Sequence, residues 1–359
     1  MNTNIMVVGG ALETNVGLSL HEAASTLGIA SELVDTLPAF SGPRLLRTLN
    51  WRLNDRRPVR LEEFSNFVVQ RCRKTRPEIL ISTGIAPLTS NALQQLADLN
   101  VVLANFQTDD PWNKAHSSRW YLKALAHYHY IFSPRTASLP QLRSATSANV
   151  SYLPFGYDRR LFYPETDATA LMKTPQCDVV FAGGADKDRL AAVELLAKSG
   201  LSLGLYGGYW GKHDFARPFY RGMASAATLR SAHANSRVAI GAVRRANRDG
   251  NSMRTFELAA MGCCCVMEDT VDHLELFGKE GDAVLYFDSP ESLVAKCLTL
   301  CDDDNARSTM AARVRELISI GHSYEDRLRE MLAKIKAPVS ALAFATVRSD
   351  AVAASAAHA

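Results

Sequence analysis

The sequence predicts an α/β protein made of two Rossmann-like, doubly wound domains that face a central cleft. Three observations predict this architecture. Short apolar runs alternate with longer amphipathic runs, the alternation begins again after a polar stretch at residues 157–175, and a chain of 359 residues is long enough for two domains. Strands that alternate with helices in this way form parallel sheets. Two such sheets place a ligand cleft at the carboxyl ends of their strands.

The first domain is predicted over residues 1–152. Gly9-Gly10 closes its first apolar run and lets the backbone approach a ligand closely. The predicted strands are residues 4–8, 31–35, 78–82, 101–106 and 130–133, and the predicted helices are residues 18–27, 44–76, 91–99 and 120–126.

The second domain is predicted over residues 153–336. Its predicted strands are residues 178–181, 203–206, 238–240, 263–267 and 283–287, and its predicted helices are residues 189–199, 227–235, 253–261 and several more from residue 290 onward. Residues 337–359 are rich in Ala and Ser and carry almost no charge, so they are predicted to be a disordered tail.

The composition excludes several classes of protein. Hydrophobic residues make up 47% of the chain, which excludes a mostly disordered protein. The 40 basic residues are nearly matched by 37 acidic ones, which argues against a nucleic-acid binder. No apolar run approaches the roughly 20 residues that cross a bilayer, and the first residues lack a secretory signal, so a cytoplasmic location is expected. Seven cysteines, three of them consecutive, suit a reducing compartment.

The segment NSMRTFELAAMG, residues 251–262, carries the strongest indication of a site. Its apolar residues recur at helical spacing, and Asn251 or Ser252 is a good N-cap for a helix that begins at Met253. A helix N-terminus that points into a cleft presents free N–H groups and the positive end of the helix dipole. A diphosphate is a natural ligand for such a terminus.

Glu257 lies about one turn into the same helix. Its carboxylate is able to accept two hydrogen bonds from a ribose diol. The alternative is that Arg254 and Glu257, three residues apart, form a surface ion pair on an amphipathic helix.

Several motifs occur in an order that resembles one known family. RTFE at 254–257 is followed by AMG at 260–262, LELF at 274–277 and SPESL at 289–293. They are joined by LPFGYD at 153–158, residues 178–183 with Arg189, LYG at 205–207 and HSY at 322–324. Together these motifs resemble the CgeB-like glycosyltransferases, the spore-maturation-protein group of the GT-B fold. The N-terminal half is similar mainly through Asp109-Asp110-Pro111.

The resemblance implies a GT-B fold and nucleotide-sugar binding by the second domain. Glu257 is similar to the ribose-binding glutamate of many GT-B enzymes, and Asp249 stands eight positions earlier, where those enzymes often carry a second acid. We interpret Asp249 as a polar loop residue, since an aspartate replaces the usual glutamate. The expected nucleotide-sugar-binding residues are Gly183, Lys187, Arg189, Tyr206, Gly207, Asn251, Ser252, Met253, Arg254, Thr255 and Glu257.

The expected reaction needs no metal ion and no cofactor beyond the nucleotide sugar, which is a substrate. Lys187, Arg189 and Arg254 offer positive charge for a leaving diphosphate. A metal-dependent transferase would instead carry an Asp-x-Asp motif at the end of a strand. The sequence has that spacing at residues 302–304, but these residues follow a helix and are predicted to form a solvated turn.

The acceptor side is expected to use Asp109, Asp110 and His116, which follow the strand predicted at residues 101–106. A carboxylate at that edge of the sheet is able to take a proton from an acceptor hydroxyl. Asp110 precedes Pro111, which favours an extended conformation, and is the preferred candidate for the base. The alternative is that these residues cap a turn.

The stretch at residues 44–76 holds ten Arg or Lys and three acidic residues, interleaved with Leu and aromatic residues. It is interpreted either as a solvated helix face or as a peripheral contact with the inner face of an anionic membrane, where a lipid-linked acceptor would lie.

The predicted function is transfer of a sugar from a nucleotide-diphosphate sugar to a hydroxyl of a carbohydrate or lipid-linked acceptor, in the synthesis of a surface polysaccharide or glycoconjugate. Two alternatives stay open: a sugar-nucleotide epimerase of the same fold, and a non-catalytic coat or binding protein. A dehydrogenase is disfavoured because no G-x-G-x-x-G motif follows the first strand.

Overall fold

The computed structural model describes residues 4–336, and the tail predicted at residues 337–359 lies outside the described residues. Two parallel β-sheets, flanked by helices, follow each other along the chain. The predicted α/β class is therefore confirmed. Within residues 4–336, no helix combines the length and the apolar character that crossing a membrane requires.

The first sheet has six parallel strands in the order β2-β1-β3-β4-β5-β6. The strands are β1 (Asn4–Gly9), β2 (Ala30–Asp35), β3 (Ile79–Thr83), β4 (Val102–Phe106), β5 (Tyr130–Ser133) and β6 (Asn149–Tyr152). The helices are α1 (Val16–Thr26), α2 (Leu37–Phe40), α3 (Arg44–Leu53), α4 (Leu61–Thr75), α5 (Ser90–Asp98), α6 (Arg119–Leu125) and α7 (Leu139–Ala145). The strand order reverses between β1 and β3, which opens a crevice at their carboxyl ends.

Two predictions for the first half need correction. The continuous helix expected over 44–76 is wrong, because the chain turns between α3 and α4, where Asp55 and Arg56 have positive φ angles. The helices α2 and α7 and the strand β6 were not predicted, and β6 extends the sheet by one strand. All three elements are short, and α7 begins next to Pro140, so their periodicity is weak.

The second sheet has five parallel strands in the order β11-β10-β9-β7-β8. The strands are β7 (Cys177–Ala182), β8 (Leu203–Tyr206), β9 (Ser236–Gly241), β10 (Cys265–Glu268) and β11 (Leu285–Phe287). The helices are α8 (Ala168–Leu171), α9 (Lys187–Lys198), α10 (Ala226–Ala234), α11 (Met253–Ala260), α12 (Val271–Phe277), α13 (Pro290–Asp302), α14 (Asp304–Ser319) and α15 (Tyr324–Lys336).

The second half follows most of its predicted elements. The helices α8 and α12 were not predicted, and the strands expected from residues 263 and 283 begin at Cys265 and Leu285. The turn expected at residues 302–304 is an exposed junction, in which Asp303 ends α13 and its side chain accepts the Ala306 N–H at the start of α14.

The last helix returns to the first half of the chain. Helix α15 packs against α1, and one apolar core includes residues of both halves, among them Leu20 and Leu328. Tyr130 of β5 donates to the Ile335 carbonyl at 3.2 Å. Arg327 of α15 donates to the Phe155 carbonyl at 2.9 Å. The two sheets are therefore held together by packing as well as by the single linker.

Two histidines with lowered pKa values give the fold a pH dependence. His322 stacks on Phe256 and lies beside Arg327, and burial together with that guanidinium lowers its pKa from 6.5 to about 4. Burial, reinforced by Arg254, lowers the pKa of His233 to about 3. Both imidazoles are neutral in the folded chain at pH 5, whereas the unfolded chain protonates them below about pH 6.5.

We therefore expect these two histidines to reduce the free energy of unfolding as the pH falls from 6.5 towards 4, because the unfolded state then binds more protons than the folded state. Denaturant unfolding at a series of pH values measures this. His322→Asn should have a shallower slope than the wild type below pH 6.5 and a parallel slope above pH 7.5. Equal slopes over the acidic range would contradict the shifted pKa of His322.

Candidate functional site

A cleft of about 680 Å³ lies between the two sheets. Loops that follow the carboxyl ends of β1, β3, β4 and β5 form one wall, and loops that follow β7 and β9, together with the start of α11, form the other. Open parallel sheets bind their ligands at this edge. Its polar lining includes Thr14, Asp109, His116, Arg135, Arg189, Asp249, Ser252, Arg254 and Glu257.

Some buried polar atoms at this cleft lack a partner. Eleven described residues carry a buried side-chain atom without a hydrogen bond, and seven of them line the cleft. Four of the seven form ion pairs instead, Arg135 with Asp249 and Arg254 with Glu257. In the other three, Ser118, Trp120 and Arg189, the atom has no partner among the described residues. Buried polar atoms in folded proteins are nearly always hydrogen-bonded, so these three indicate a ligand site.

The start of α11 forms the most polar part of the second wall. Ser252, one of the two predicted N-cap residues, caps the helix in a reciprocal capping box with Thr255. Glu257 is buried, and its Oε2 lies 2.7 Å from Arg254 Nη1. Burial raises the pKa of Glu257, and Arg254 opposes that shift. The ion pair of the alternative interpretation therefore forms, but it lines the cleft and does not lie on an outer helix face.

Arg189 joins the loops that follow β7 and β9. Its guanidinium donates to the carbonyls of Gly184 at 3.2 Å and Ala242 at 3.3 Å, and it lies 5.5 Å from the centre of the Phe181 ring. Its Nε has no partner among the residues that the structure describes. Lys187 is exposed and does not line the cleft, because positions two apart point about 200° apart around a helix. The expected phosphate contact from Lys187 is therefore not supported by its position.

Gly183 lines the cleft, and two predicted residues lie behind it rather than in it. Gly207 has a φ of +123°, and a Cβ there would come within 2.5 Å of the Gly183 carbonyl oxygen. Only glycine allows the loops after β7 and β8 to approach so closely. Tyr206 is buried at the end of β8 and does not line the cleft. Trp210 donates to the Gly183 carbonyl at 2.7 Å and supports the same loop.

Asn251 also lies outside the cleft, where it connects the two halves of the chain. Its amide donates to Asp272 Oδ2 at 2.5 Å and to the Pro134 carbonyl at 3.1 Å, and its Oδ1 accepts the Phe155 N–H. The residue is fully buried. These contacts hold the loop before α11 against the interdomain linker.

Thr255 likewise faces away from the cleft and contacts His273. The His273 Nδ1 lies 2.6 Å from the Glu268 carbonyl oxygen, which only accepts, so Nδ1 carries the proton. Nε2 therefore accepts the Thr255 hydroxyl at 2.9 Å. Burial lowers the pKa of His273, which keeps the ring neutral. This bond fixes the first turn of α11.

Asp110 does not occupy the cleft edge expected for it. The residue is buried, and both of its carboxylate oxygens bind Arg248 from the other half of the chain, with Nε–Oδ2 at 2.5 Å and Nη2–Oδ1 at 2.9 Å. Oδ1 also accepts the Trp112 N–H at 3.0 Å. Asp110 therefore forms an ion pair between the two halves of the chain, and its bond to the Trp112 N–H stabilises the turn that follows.

Asp109 and His116 do line the cleft. The His116 Nε2 lies 2.9 Å from the Asp110 carbonyl oxygen, so Nε2 donates and Nδ1 is the free acceptor of the neutral ring. In the described part of the chain, no hydrogen bond or ion pair engages the Asp109 carboxylate. Two groups that can accept a proton therefore face the cleft from the first half.

Arg135 and Asp249 meet across the cleft, and sequence reasoning did not foresee their contact. Both are buried, and Arg135 Nε lies 2.5 Å from Asp249 Oδ1. Arg135 also donates to the carbonyls of Gln107 and Thr108. Burial raises the pKa of Asp249, and Arg135 opposes the shift. The one sequence signal was that Arg135 follows a strand directly, at the edge where ligands bind.

Within residues 4–336, no group of three or more His, Cys, Asp or Glu side chains has an arrangement that could hold a metal ion. The described cysteines are all unpaired, and burial raises the pKa of Cys263 and of its neighbours.

Comparisons with known proteins agree with this architecture. Sucrose-phosphate synthase from Thermosynechococcus elongatus is 13% identical, with a TM-score of 0.67 over 93% of this chain and 98% of that chain. HepE from Anabaena, solved in complex with UDP-glucose, is 14% identical, with a TM-score of 0.62 over 92% and 99%. A glycosyltransferase from Rickettsia africae is 14% identical, with a TM-score of 0.61 over 93% and 98%. No curated protein matches the chain in sequence.

At these identities the solved structures establish the fold. The two parallel sheets and the cleft between them are those of GT-B glycosyltransferase structures, as the resemblance implied. The CgeB-like group itself stays a prediction. The chain has the GT-B fold, and residues 189–333, which span most of its second half, match the family described as glycosyl transferase-like.

Proposed function

We propose that this protein transfers a sugar from a nucleotide-diphosphate sugar to an acceptor hydroxyl. The observation that carries the proposal is the cleft itself. The Arg254–Glu257 pair at the start of α11 lies on one wall, and the other wall carries His116 and the Asp109 carboxylate, which is unpaired within residues 4–336. The match to a glycosyl transferase-like family over residues 189–333 supports it.

The sugar donor binds the second half in this proposal. Free N–H groups in the first turn of α11, together with Arg254 and Arg189, neutralise the diphosphate. Glu257 accepts hydrogen bonds from the ribose hydroxyls, since its ion pair with Arg254 leaves other lone pairs of the carboxylate available. A neighbour of the same fold, HepE, was solved with UDP-glucose, which supports a uridine nucleotide as the first donor to test.

The acceptor binds against the first half. Its hydroxyl oxygen forms the new bond to the anomeric carbon of the sugar while the bond from that carbon to the diphosphate oxygen breaks. The hydroxyl proton passes to Asp109, which is the carboxylate free to receive it, or to Nδ1 of His116. The leaving diphosphate keeps the bonding electrons and is stabilised by the arginines of the second half.

The setting of the reaction is also part of the proposal. We propose a carbohydrate or lipid-linked acceptor, a role in surface polysaccharide or glycoconjugate synthesis, and a cytoplasmic site of action. Fixed arginines and helix N–H groups suffice for the diphosphate, so the reaction is proposed to be independent of a metal ion.

A second candidate is a sugar-nucleotide epimerase. A protein of Listeria monocytogenes proposed to be a UDP-N-acetylglucosamine 2-epimerase has the same fold, with 13% identity and a TM-score of 0.58 over 94% of this chain and 96% of that chain. An epimerase changes its nucleotide sugar without an acceptor, whereas a transferase releases the nucleotide only as the acceptor is glycosylated. Product analysis with and without acceptor separates the two.

We expect Glu257→Gln to weaken the binding of UDP-glucose about tenfold or more, because it removes a charge-assisted acceptor of the ribose hydroxyls. Isothermal titration calorimetry measures the affinity. The matched control is Glu275→Gln, an exposed glutamate of α12 outside the cleft. Unchanged affinity in a folded Glu257→Gln protein would remove Glu257 from the binding site.

We expect turnover to survive treatment with EDTA, because protein cations replace a divalent ion at the diphosphate. Initial rates are compared with and without the chelator, at a fixed concentration of sugar donor. Loss of turnover that Mg²⁺ or Mn²⁺ restores would contradict the proposed metal independence.

We expect Asp109→Asn to lower kcat about 100-fold or more with little change in affinity for the sugar donor, since it removes the proton acceptor. Asp110→Asn should instead lower the Tm, because Arg248 loses its carboxylate partner.

The matched control for Asp110 is the double variant Asp110→Asn, Arg248→Gln, which should be no less stable than Asp110→Asn alone. If Asp110→Asn lost turnover at an unchanged Tm while Asp109→Asn stayed active, Asp110 would be the base after all.

A further inference from the structure

Helix α3 exposes an apolar stripe that a helix of a globular protein would ordinarily bury. None of its ten residues is buried. Leu45, Leu49 and Leu53 follow each other at intervals of four residues and are 85%, 51% and 78% exposed, and Leu46 beside them is 47% exposed. Residues at this spacing share one face of a helix. The leucine stripe, residues 45, 46, 49 and 53, therefore points into solvent.

Exposed apolar side chains are unusually dense around this helix. Eighteen large hydrophobic side chains are exposed among the described residues, and seven of these lie between residues 37 and 53. Besides the leucine stripe they are Leu37, Phe40 and Trp51. Scattered exposed apolar residues are ordinary in proteins, whereas a contiguous patch marks a surface that contacts another phase or molecule.

The opposite face of α3 is basic. Arg44, Arg47 and Arg52 line a cavity of about 490 Å³ between α3 and the segment after it. No ion pair engages these three guanidinium groups within residues 4–336, and α3 contains no acidic residue. Arg56 and Arg57 line the same cavity. The helix therefore carries uncompensated positive charge beside its leucine stripe.

This basic cavity adjoins the acceptor side of the cleft. Phe40, Trp51 and Arg56 line both spaces. The Arg56 guanidinium also donates to the carbonyls of Lys114, Ala115 and Ser117, which hold it against the loop that carries His116. A surface that contacts α3 therefore lies next to the wall of the first half, which is proposed to bind the acceptor.

We propose that α3 docks this protein on an anionic lipid bilayer. The leucine stripe enters the interface between head groups and acyl chains, and Arg44, Arg47 and Arg52 bind lipid phosphates. Charge selects this occupant: Arg44, Arg47 and Arg52 have no acidic partner within residues 4–336, and lipid phosphates supply the counter-charge, which a second copy of α3, a helix without an acid, does not supply. Docking holds the acceptor side of the cleft at the bilayer surface, a consequence that rests on the proposed function.

Co-sedimentation with lipid vesicles tests the proposal without any enzymatic assay. The full chain should bind vesicles of phosphatidylcholine with about one third phosphatidylglycerol, bind pure phosphatidylcholine much more weakly, and be released by high salt. Leu45→Ser with Leu49→Ser should lower the partition coefficient tenfold or more. The matched control is Met172→Ser with Ile320→Ser. It removes two apolar side chains of the second half, each 81% exposed, and should bind vesicles as the wild type does.

A second double variant tests the role of the positive charge on α3. Arg44→Gln with Arg52→Gln should remove the preference for phosphatidylglycerol while leaving the affinity for UDP-glucose unchanged, which separates this proposal from the proposed function. Wild-type protein that ignores anionic vesicles, or a leucine variant that binds them normally, would overturn the proposal. So would a dimer of the wild type that sediments without lipid and that the leucine variant abolishes, since α3 would then be an interface between copies.

Discussion

The buried ion pair between Arg135 and Asp249 is the contact on which the site depends. One partner follows a strand of the first sheet and the other precedes α11 in the second half, so the pair spans the cleft. Burying either charge alone would cost several kcal/mol, and each makes the burial of the other tolerable. Arg135 also donates to two carbonyls of the loop that carries Asp109, and its guanidinium lies 5.7 Å from the centre of the Phe155 ring in the interdomain linker. One guanidinium therefore positions both walls and the linker.

Other contacts between the halves reinforce that arrangement. Arg248 binds Asp110 with two hydrogen bonds, and Asn251 bridges Asp272, Pro134 and Phe155. Arg248 and Asn251 belong to the segment that leads into α11. The position of Glu257 in that helix therefore depends on bonds made to the first half. If the two sheets moved apart, the wall of the cleft that carries Glu257 would therefore change together with the width of the cleft.

The carboxylates of the site have different partners, and this separates their chemistry. Glu257 and Asp249 are buried beside arginines, where burial raises each pKa and the neighbouring guanidinium opposes the shift. Such groups suit fixed hydrogen bonding and charge balance. Asp109 faces the cleft without an arginine partner in the described chain, which suits transfer of a proton. Environment, and not residue type, distinguishes these acids.

The sequence by itself determined the features that depend on near neighbours. Alternating apolar runs predicted both sheets, and the spacing in residues 251–262 predicted α11, a cap at Asn251 or Ser252, and the placement of Glu257 about one turn into the helix. Only the tertiary structure decided which of the adjacent acids Asp109 and Asp110 faces the cleft, because the deciding partner, Arg248, lies 138 residues away. The same holds for the pairing of Asp249 with Arg135 and for the exposure of the leucines of α3. Periodicity shows that a helix has an apolar face, but whether the fold covers that face is decided by residues distant in the sequence.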